Sequence, residues 1–281
     1  MMMNLNLCDI DLRQRDETSL IRLITRCEQH SQTKFGRLFV GSYFCGRYFL
    51  HFRKHHLDAV KRIAEKQAVR LVLVLPIFSQ ELLEEGKQAV RDAIRTLSGY
   101  IDAVTVNDLG MLGWITRTFR MPVVLGRLFA RDARDFRYEE LRIRNRIPAL
   151  LSGTYQLLAR QYPCISGVEL DNIYRASALP GDIPITMHIP YVYQSVGHLC
   201  PYANMESSAF SAFTANRSCS FSCMRNLLAY SNENGTVVRV GRAAFYREPA
   251  TEEFGSNVTP VYWPLDLWND ENEDISTPSI L

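Results

Sequence analysis

The chain has 281 residues, 47% of them hydrophobic and 22% charged, with 32 Lys and Arg against 30 Asp and Glu for a formal net charge of +2. That length and apolar share support a sizeable core without disulfide staples, and so small a net charge excludes a global attraction to polyanions. Seven cysteines is an odd number for a disulfide framework, no apolar run reaches bilayer-spanning length, and charge arrives before any apolar region forms at the start. A cytoplasmic protein with reduced thiols is therefore expected.

Along the chain, short apolar runs alternate with amphipathic segments. Leu5 to Ile10 reads as a strand and Glu17 to His30 as a helix. Leu38 to Val40 is a strand, followed by a loop carrying Cys45, and Leu57 to Lys66 is helical. Val69 to Leu75 is almost wholly apolar and β-branched, as a strand buried on both faces should be. Gln80 to Leu97 reads as a long helix whose acidic start suits the helix dipole. Ala103 to Val106 is a strand, Leu109 to Phe119 a helix, and Pro122 to Leu125 a strand. Tyr138 to Gln161 holds one or two helices broken at Pro148. Gly167 to Leu170 and Ile185 to Ile189 are strands, with a short helix or turn from Asn172 to Leu179 between them. Tyr191 to Ser218 reads as irregular. Thr236 to Val240 and Val258 to Trp263 are further strands, and the polar tail Asn269 to Leu281 is expected to fray.

Repeated strand–helix units predict a parallel sheet with helical crossovers. Seven or eight units within about 250 residues fit a (β/α) TIM-type barrel. No linker divides the chain, so residues 1–281 are expected to form one α/β domain, with an irregular cysteine-bearing segment after the seventh strand. The reactive face of such a barrel lies at the strand C-termini. Cys45 follows the second strand, Asn107 and Asp108 the fourth, and Arg127 the fifth. Glu169 and Asp171 close the sixth strand and His188 the seventh. Asn107, Asp108, Arg127, Glu169 and His188 are the candidate substrate-binding residues. Plainer roles compete: Asn107 and Asp108 suit a helix N-cap, Glu169 suits an ion pair with Arg127, and His188 suits a satisfied core position.

The stretch Tyr191 to Ser218 is rich in Ser, Ala, Tyr and Asn, and the cysteines of the segment Cys200 to Asn226 lack the packing reason that an apolar context gives. On a helix, Cys219 and Cys223 would share one face, one turn apart. This segment leaves from the seventh strand, so its thiols start on the same rim as Cys45. Zinc is usually announced by tight CxxC knuckles, which the chain lacks. An iron–sulfur cluster tolerates dispersed thiolates. A [4Fe–4S] cluster on Cys45, Cys200, Cys219 and Cys223 is the expected cofactor, with His198 as an alternative ligand. Cys8, Cys27 and Cys164 fall in apolar patterns and read as buried thiols, and His55-His56 as a solvated face. No Gly-x-Ser-x-Gly elbow or HExxH helix supports a peptidase, though Cys45 or Cys200 with His188 makes a nucleophile–base pair on paper. Arg outnumbers Lys by 27 to 5, but no basic stripe with interleaved aromatics marks a nucleic-acid surface.

The strings GSYFCGR at Cys45, VNDLGML at Asn107, VVLGRLFARDARD around Arg127, GVELD at Glu169, HIPYVY at His188, SCSFSCMRN and NGTVVRVGR run in this order from Leu38 to Tyr246. Together they resemble the collagenase-like peptidase family U-32, and within it the UbiV-type branch. The resemblance implies a (β/α) barrel whose Cys45, Cys200, Cys219 and Cys223 hold a [4Fe–4S] cluster. It implies a heterodimer with a UbiU-like member and oxygen-independent hydroxylation of a ubiquinone precursor, with prephenate as hydroxyl source. Other branches hydroxylate RNA and some members are named peptidases, which makes RNA-base hydroxylation and peptide cleavage the alternative functions. The stretch from His188 to Cys200 is longer than the branch pattern.

Overall fold

Short apolar runs with β-branched residues supply the frame: β1 (Met3–Asn6), β2 (Phe35–Gly41), β3 (Arg70–Val74), β4 (Ile101–Val106), β5 (Val123–Leu125), β6 (Ile165–Asp171) and β7 (Ile185–Ile189). A computed structural model describes residues 3–9, 12, 15–130, 147–174, 176–205, 214, 217–224, 226–232, 235–248 and 254–268. After β7 the chain forms β8 (Tyr191–Val196), β9 (Leu228–Asn232), β10 (Gly235–Val240) and β11 (Ala243–Arg247), then returns as β12 (Val258–Tyr262). The order β1-β12-β7-β6-β5-β4-β3-β2 closes on itself, and the eight strands pair in parallel throughout. With helices around it, this is the expected α/β TIM-type barrel.

The crossovers are helical: α1 (Glu17–Ser31), α2 (Gly46–Leu50), α3 (Lys54–Lys66), α4 (Leu83–Thr96), α5 (Leu109–Thr118) and α6 (Thr154–Gln161). Helix α1 starts where the Asp16 side chain accepts the Ser19 N–H at 2.7 Å, and it buries Leu20, Leu23, Ile24 and Cys27 at helical spacing. The long helix predicted from Gln80 opens with a 3-10 turn, Gln80–Leu82, before α4 begins. Between β6 and β7 the described residues hold the 3-10 turn Ala176–Ala178 and no longer helix. Of the helical span predicted from Tyr138, residues 138–146 lie outside the described residues, as do residues 131–135 of the VVLGRLFARDARD string and the predicted tail 269–281.

The excursion between β7 and β12 departs most from the pattern. Tyr191 to Ser218, expected to be irregular, contains β8 and the short helix α7 (Pro201–Met205). Strands β8, β11, β10 and β9 form an antiparallel sheet in that order, separate from the barrel. Of these only β10 was expected; β8 and β11 were not legible because they pair with each other across about fifty residues, and such pairing is set by tertiary partners rather than local preference. The hairpin between β10 and β11 turns on Gly241 and Arg242, with Gly241 at φ +57°.

Gly41 decides how the chain leaves β2. It stands at φ +128°, and a Cβ there would lie 2.1 Å from the Val74 carbonyl oxygen. Only glycine permits this approach, and it directs Ser42 to Cys45 across the C-terminal mouth of the barrel.

Candidate functional site

The β2 loop is braced from below by Asp9, which follows β1 at φ +59°. The Asp9 carboxylate accepts the Ser42 hydroxyl and, at 3.1 Å, the Tyr43 N–H. Ser42 Oγ in turn accepts the Cys45 N–H at 3.0 Å. Cys45 is the N-cap of α2, and its Sγ accepts the Tyr48 N–H at 3.3 Å. Burial pushes the Asp9 carboxyl up from 3.8 to about 6, against the lowering effect of Ser42, the Tyr43 N–H, Arg127 and Arg242. The folded chain thus binds this proton more tightly than the unfolded chain. The contribution to stability is lost as pH rises from about 4 through 6, by about 3 kcal/mol in all. Chemical denaturation of the metal-free chain at about pH 4.5 and pH 7 is expected to show this slope, and Asp9→Asn to flatten it.

Cys45, Cys200, Cys219 and Cys223 line one cavity of about 50 Å³ at this mouth. The helical reading of Cys219 and Cys223 is corrected: Cys219 lies outside any helix or strand and Cys223 in the 3-10 turn Ser222–Met224. Phe221 between them takes φ +60°, which no helix contains. Its buried ring packs edge-on against His51 at 4.8 Å and Tyr48 at 5.9 Å. This contact draws the late cysteines onto the element that Cys45 caps. Cys200 opens α7, where its carbonyl accepts both the backbone N–H of Asn204 at 3.2 Å and the Asn204 side-chain amide at 2.9 Å. Burial pushes the Cys45 thiol up to about 12, partly offset by the Tyr48 N–H. Cys223 is raised further, first by burial and then by Cys45, Cys200 and Cys219. Without a cation beside them the Cys45 and Cys223 thiols stay protonated. His198, the alternative ligand, lines the same cavity.

A second polar cluster fills the barrel axis beneath the mouth. Glu169 accepts the Thr105 hydroxyl at 2.6 Å, and its other oxygen lies 3.0 Å from His188 Nε2. Tyr43 OH is 3.4 Å from the same nitrogen. His188 is fully buried, and burial first, then Arg127, lowers its pKa below the ordinary histidine value, against Glu169 and Asp171. Arg127 is equally buried. Its Nη2 donates to Asp171 and, at 3.0 Å, to the Tyr191 carbonyl. Asp171 also accepts the Tyr193 N–H at 3.1 Å, so this ion pair fastens β8 to the barrel. The expected partnership of Glu169 with Arg127 is thus corrected to Asp171 with Arg127. The guanidinium lies over Tyr43 and Phe245, 5.7 and 5.5 Å from the ring centroids. Its Nε and Nη1, His188 Nδ1 and Trp263 Nε1 are buried without a hydrogen-bond partner.

Asn107 and Asp108 do not join this cluster through hydrogen bonds. Asn107 donates to the Leu75 carbonyl at 2.9 Å and accepts the Leu128 N–H at 3.4 Å. It clamps β4 to its neighbours, and a Cβ on Gly126 would lie 2.3 Å from its Oδ1. Asp108 is the N-cap of α5, accepting the Met111 N–H at 2.8 Å. Asp108→Ala is expected to cost about 1 kcal/mol in a thermal or urea unfolding experiment, with Asp108→Asn close to the parent. Cys8 and Cys27 are buried as expected, whereas Cys164 is partly exposed. Asp9, Tyr43 and Arg242 were missed by sequence reasoning. Tyr43 and Arg242 stood in the strings GSYFCGR and NGTVVRVGR, where attention to the cysteines and strands passed over them.

No family model matches the chain, and neither a curated protein nor a solved structure matches it. Among the described residues, no group of three or more His, Cys, Asp or Glu side chains is arranged to hold a metal ion, and no helix is long and apolar enough to cross a membrane.

Proposed function

We propose that this chain is a cytoplasmic iron–sulfur protein that works with a UbiU-like partner, as a heterodimer, in the oxygen-independent hydroxylation of a ubiquinone precursor. One observation carries this reading: four thiols from separate parts of the sequence line a single cavity at the active end of the barrel. The donor set fits a cluster better than one ion. A tetrahedral ion with Zn–S bonds near 2.3 Å requires sulfurs about 3.8 Å apart. The described residues hold no group of three or more such donors set for a single ion, and the cavity that these thiols help to line has a volume of about 50 Å³. All-thiol donors, a backbone N–H aimed at Cys45 Sγ and a surrounding apolar wall suit a [4Fe–4S] group.

Such a cluster supplies electron transfer when bound. The chain's own residues do the rest. Asp9 and Ser42 fix the loop that presents Cys45. Arg127 offers two unpartnered N–H donors to a carboxylate such as that of prephenate. His188, kept neutral and oriented by Glu169, presents Nδ1 to a hydroxyl donor. Tyr43 touches both Arg127 and His188 and is two residues from Cys45, so one loop serves the thiols and the axial cluster.

The test is an anaerobic incubation of the cluster-loaded chain with a UbiU-like partner, prephenate and a quinone precursor, read by mass spectrometry. Addition of one oxygen atom that requires both proteins supports the reading. Equal product from the metal-free chain, or none from the loaded pair, overturns it. A peptidase that uses Cys45 is disfavoured, because a nucleophilic cysteine needs a lowered pKa and burial pushes Cys45 up to about 12.

A further inference from the structure

The cavity that gathers the four thiols is also lined by three arginines, Arg47, Arg217 and Arg242. Among the described residues of that wall, Asp9 is the carboxylate, and its oxygens are turned to Ser42 and the Tyr43 N–H. Arg47 Nε is buried with no hydrogen-bond partner. The rest of the side chain is partly exposed, but a buried N–H left so is costly unless an acceptor completes it. Arg242 occupies the two-residue turn between β10 and β11, and its Nε donates to the carbonyl of Phe44, the residue before Cys45. Four thiolates around a [4Fe–4S] core of charge 2+ make a dianion, which gives these cations a counter-charge.

We propose that Arg47 and Arg242 neutralise the charge of the cluster held by Cys45, Cys200, Cys219 and Cys223 and thereby set its reduction potential. This rests on the cluster reading above. Adding an electron makes the cluster more negative, so a neighbouring cation favours the reduced form and raises the potential. Both residues act as positioning and tuning groups and not as ligands.

The full chain and the variants Arg47→Gln, Arg47→Lys and Arg242→Gln are reconstituted anaerobically with ferrous iron and sulfide. Midpoint potentials are then read by dye-mediated titration of the visible absorbance. Each Gln variant is expected to hold a tenfold smaller ratio of reduced to oxidised cluster at a given potential, a shift of about 59 mV to the negative side. Arg47→Lys, which keeps the charge, is expected to titrate with the parent. Because Arg47 Nε has no bond to lose, Arg47→Gln decides the matter even where Arg242→Gln fails to load for want of its bond to Phe44. Gln variants that titrate with the parent overturn the proposal and leave the cluster reading standing. A parent chain that takes up no iron and sulfide overturns both.

Discussion

Arg127→Met is expected to destabilise the chain by about 3–5 kcal/mol, because it leaves Asp171 as a buried carboxylate with no cation beside it. The loss has two parts. One is the desolvation of an unmatched charge. The other is the seam between barrel and excursion, where Arg127 holds the Tyr191 carbonyl and Asp171 holds the Tyr193 N–H. Asp171→Asn in the same background is expected to recover part of the loss by removing the charge, so the two single changes and the double change will not be additive. Urea unfolding of the metal-free chain is the measurement. A cost below about 1 kcal/mol, the range of a solvated pair, would show that water reaches the guanidinium.

Cys45→Ser and Cys223→Ser are expected to abolish stable cluster loading, while Cys164→Ser, on the opposite side of the fold from the mouth, loads as the parent does. Cys45 is the strongest single test. It comes from the β2 loop, whereas the other three thiols follow β7, and its sulfur caps α2. Its loss removes the thiol that ties the excursion to the barrel through the metal. The raised thiol pKa values add a pH signature. Thiols held protonated by burial release protons as they bind metal, so loading is expected to strengthen as pH rises. Visible absorbance and bound iron after gel filtration report both effects. Equal loading by Cys45→Ser and the parent would place the metal elsewhere.

The barrel was legible because its strands are buried on both faces and so read as unbroken apolar runs, Val69 to Leu75 most plainly. Once the strands were in order, the rim followed from chain direction, with Cys45 at the mouth and Arg127, Glu169 and His188 in the buried cluster beneath it. Partner choice was not legible. Glu169 and Asp171 stand two residues apart on one face of β6, and period-two reasoning cannot say which of them meets Arg127. Asp9 was absorbed into a strand reading from Leu5 to Ile10, whereas β1 ends at Asn6 and Asp9 turns at positive φ. The four-residue spacing of Cys219 and Cys223 suggested a helix. The left-handed backbone of Phe221, driven by its packing on His51 and Tyr48, breaks that helix and still delivers both sulfurs to the cavity.

The most direct measurement is iron and acid-labile sulfide per chain after anaerobic reconstitution, with electron paramagnetic resonance of the reduced sample. About four irons and four sulfides with a reduced-cluster signal are expected. A loaded, folded chain with zinc in place of iron, or one without sulfide, would contradict a cluster at these four thiols.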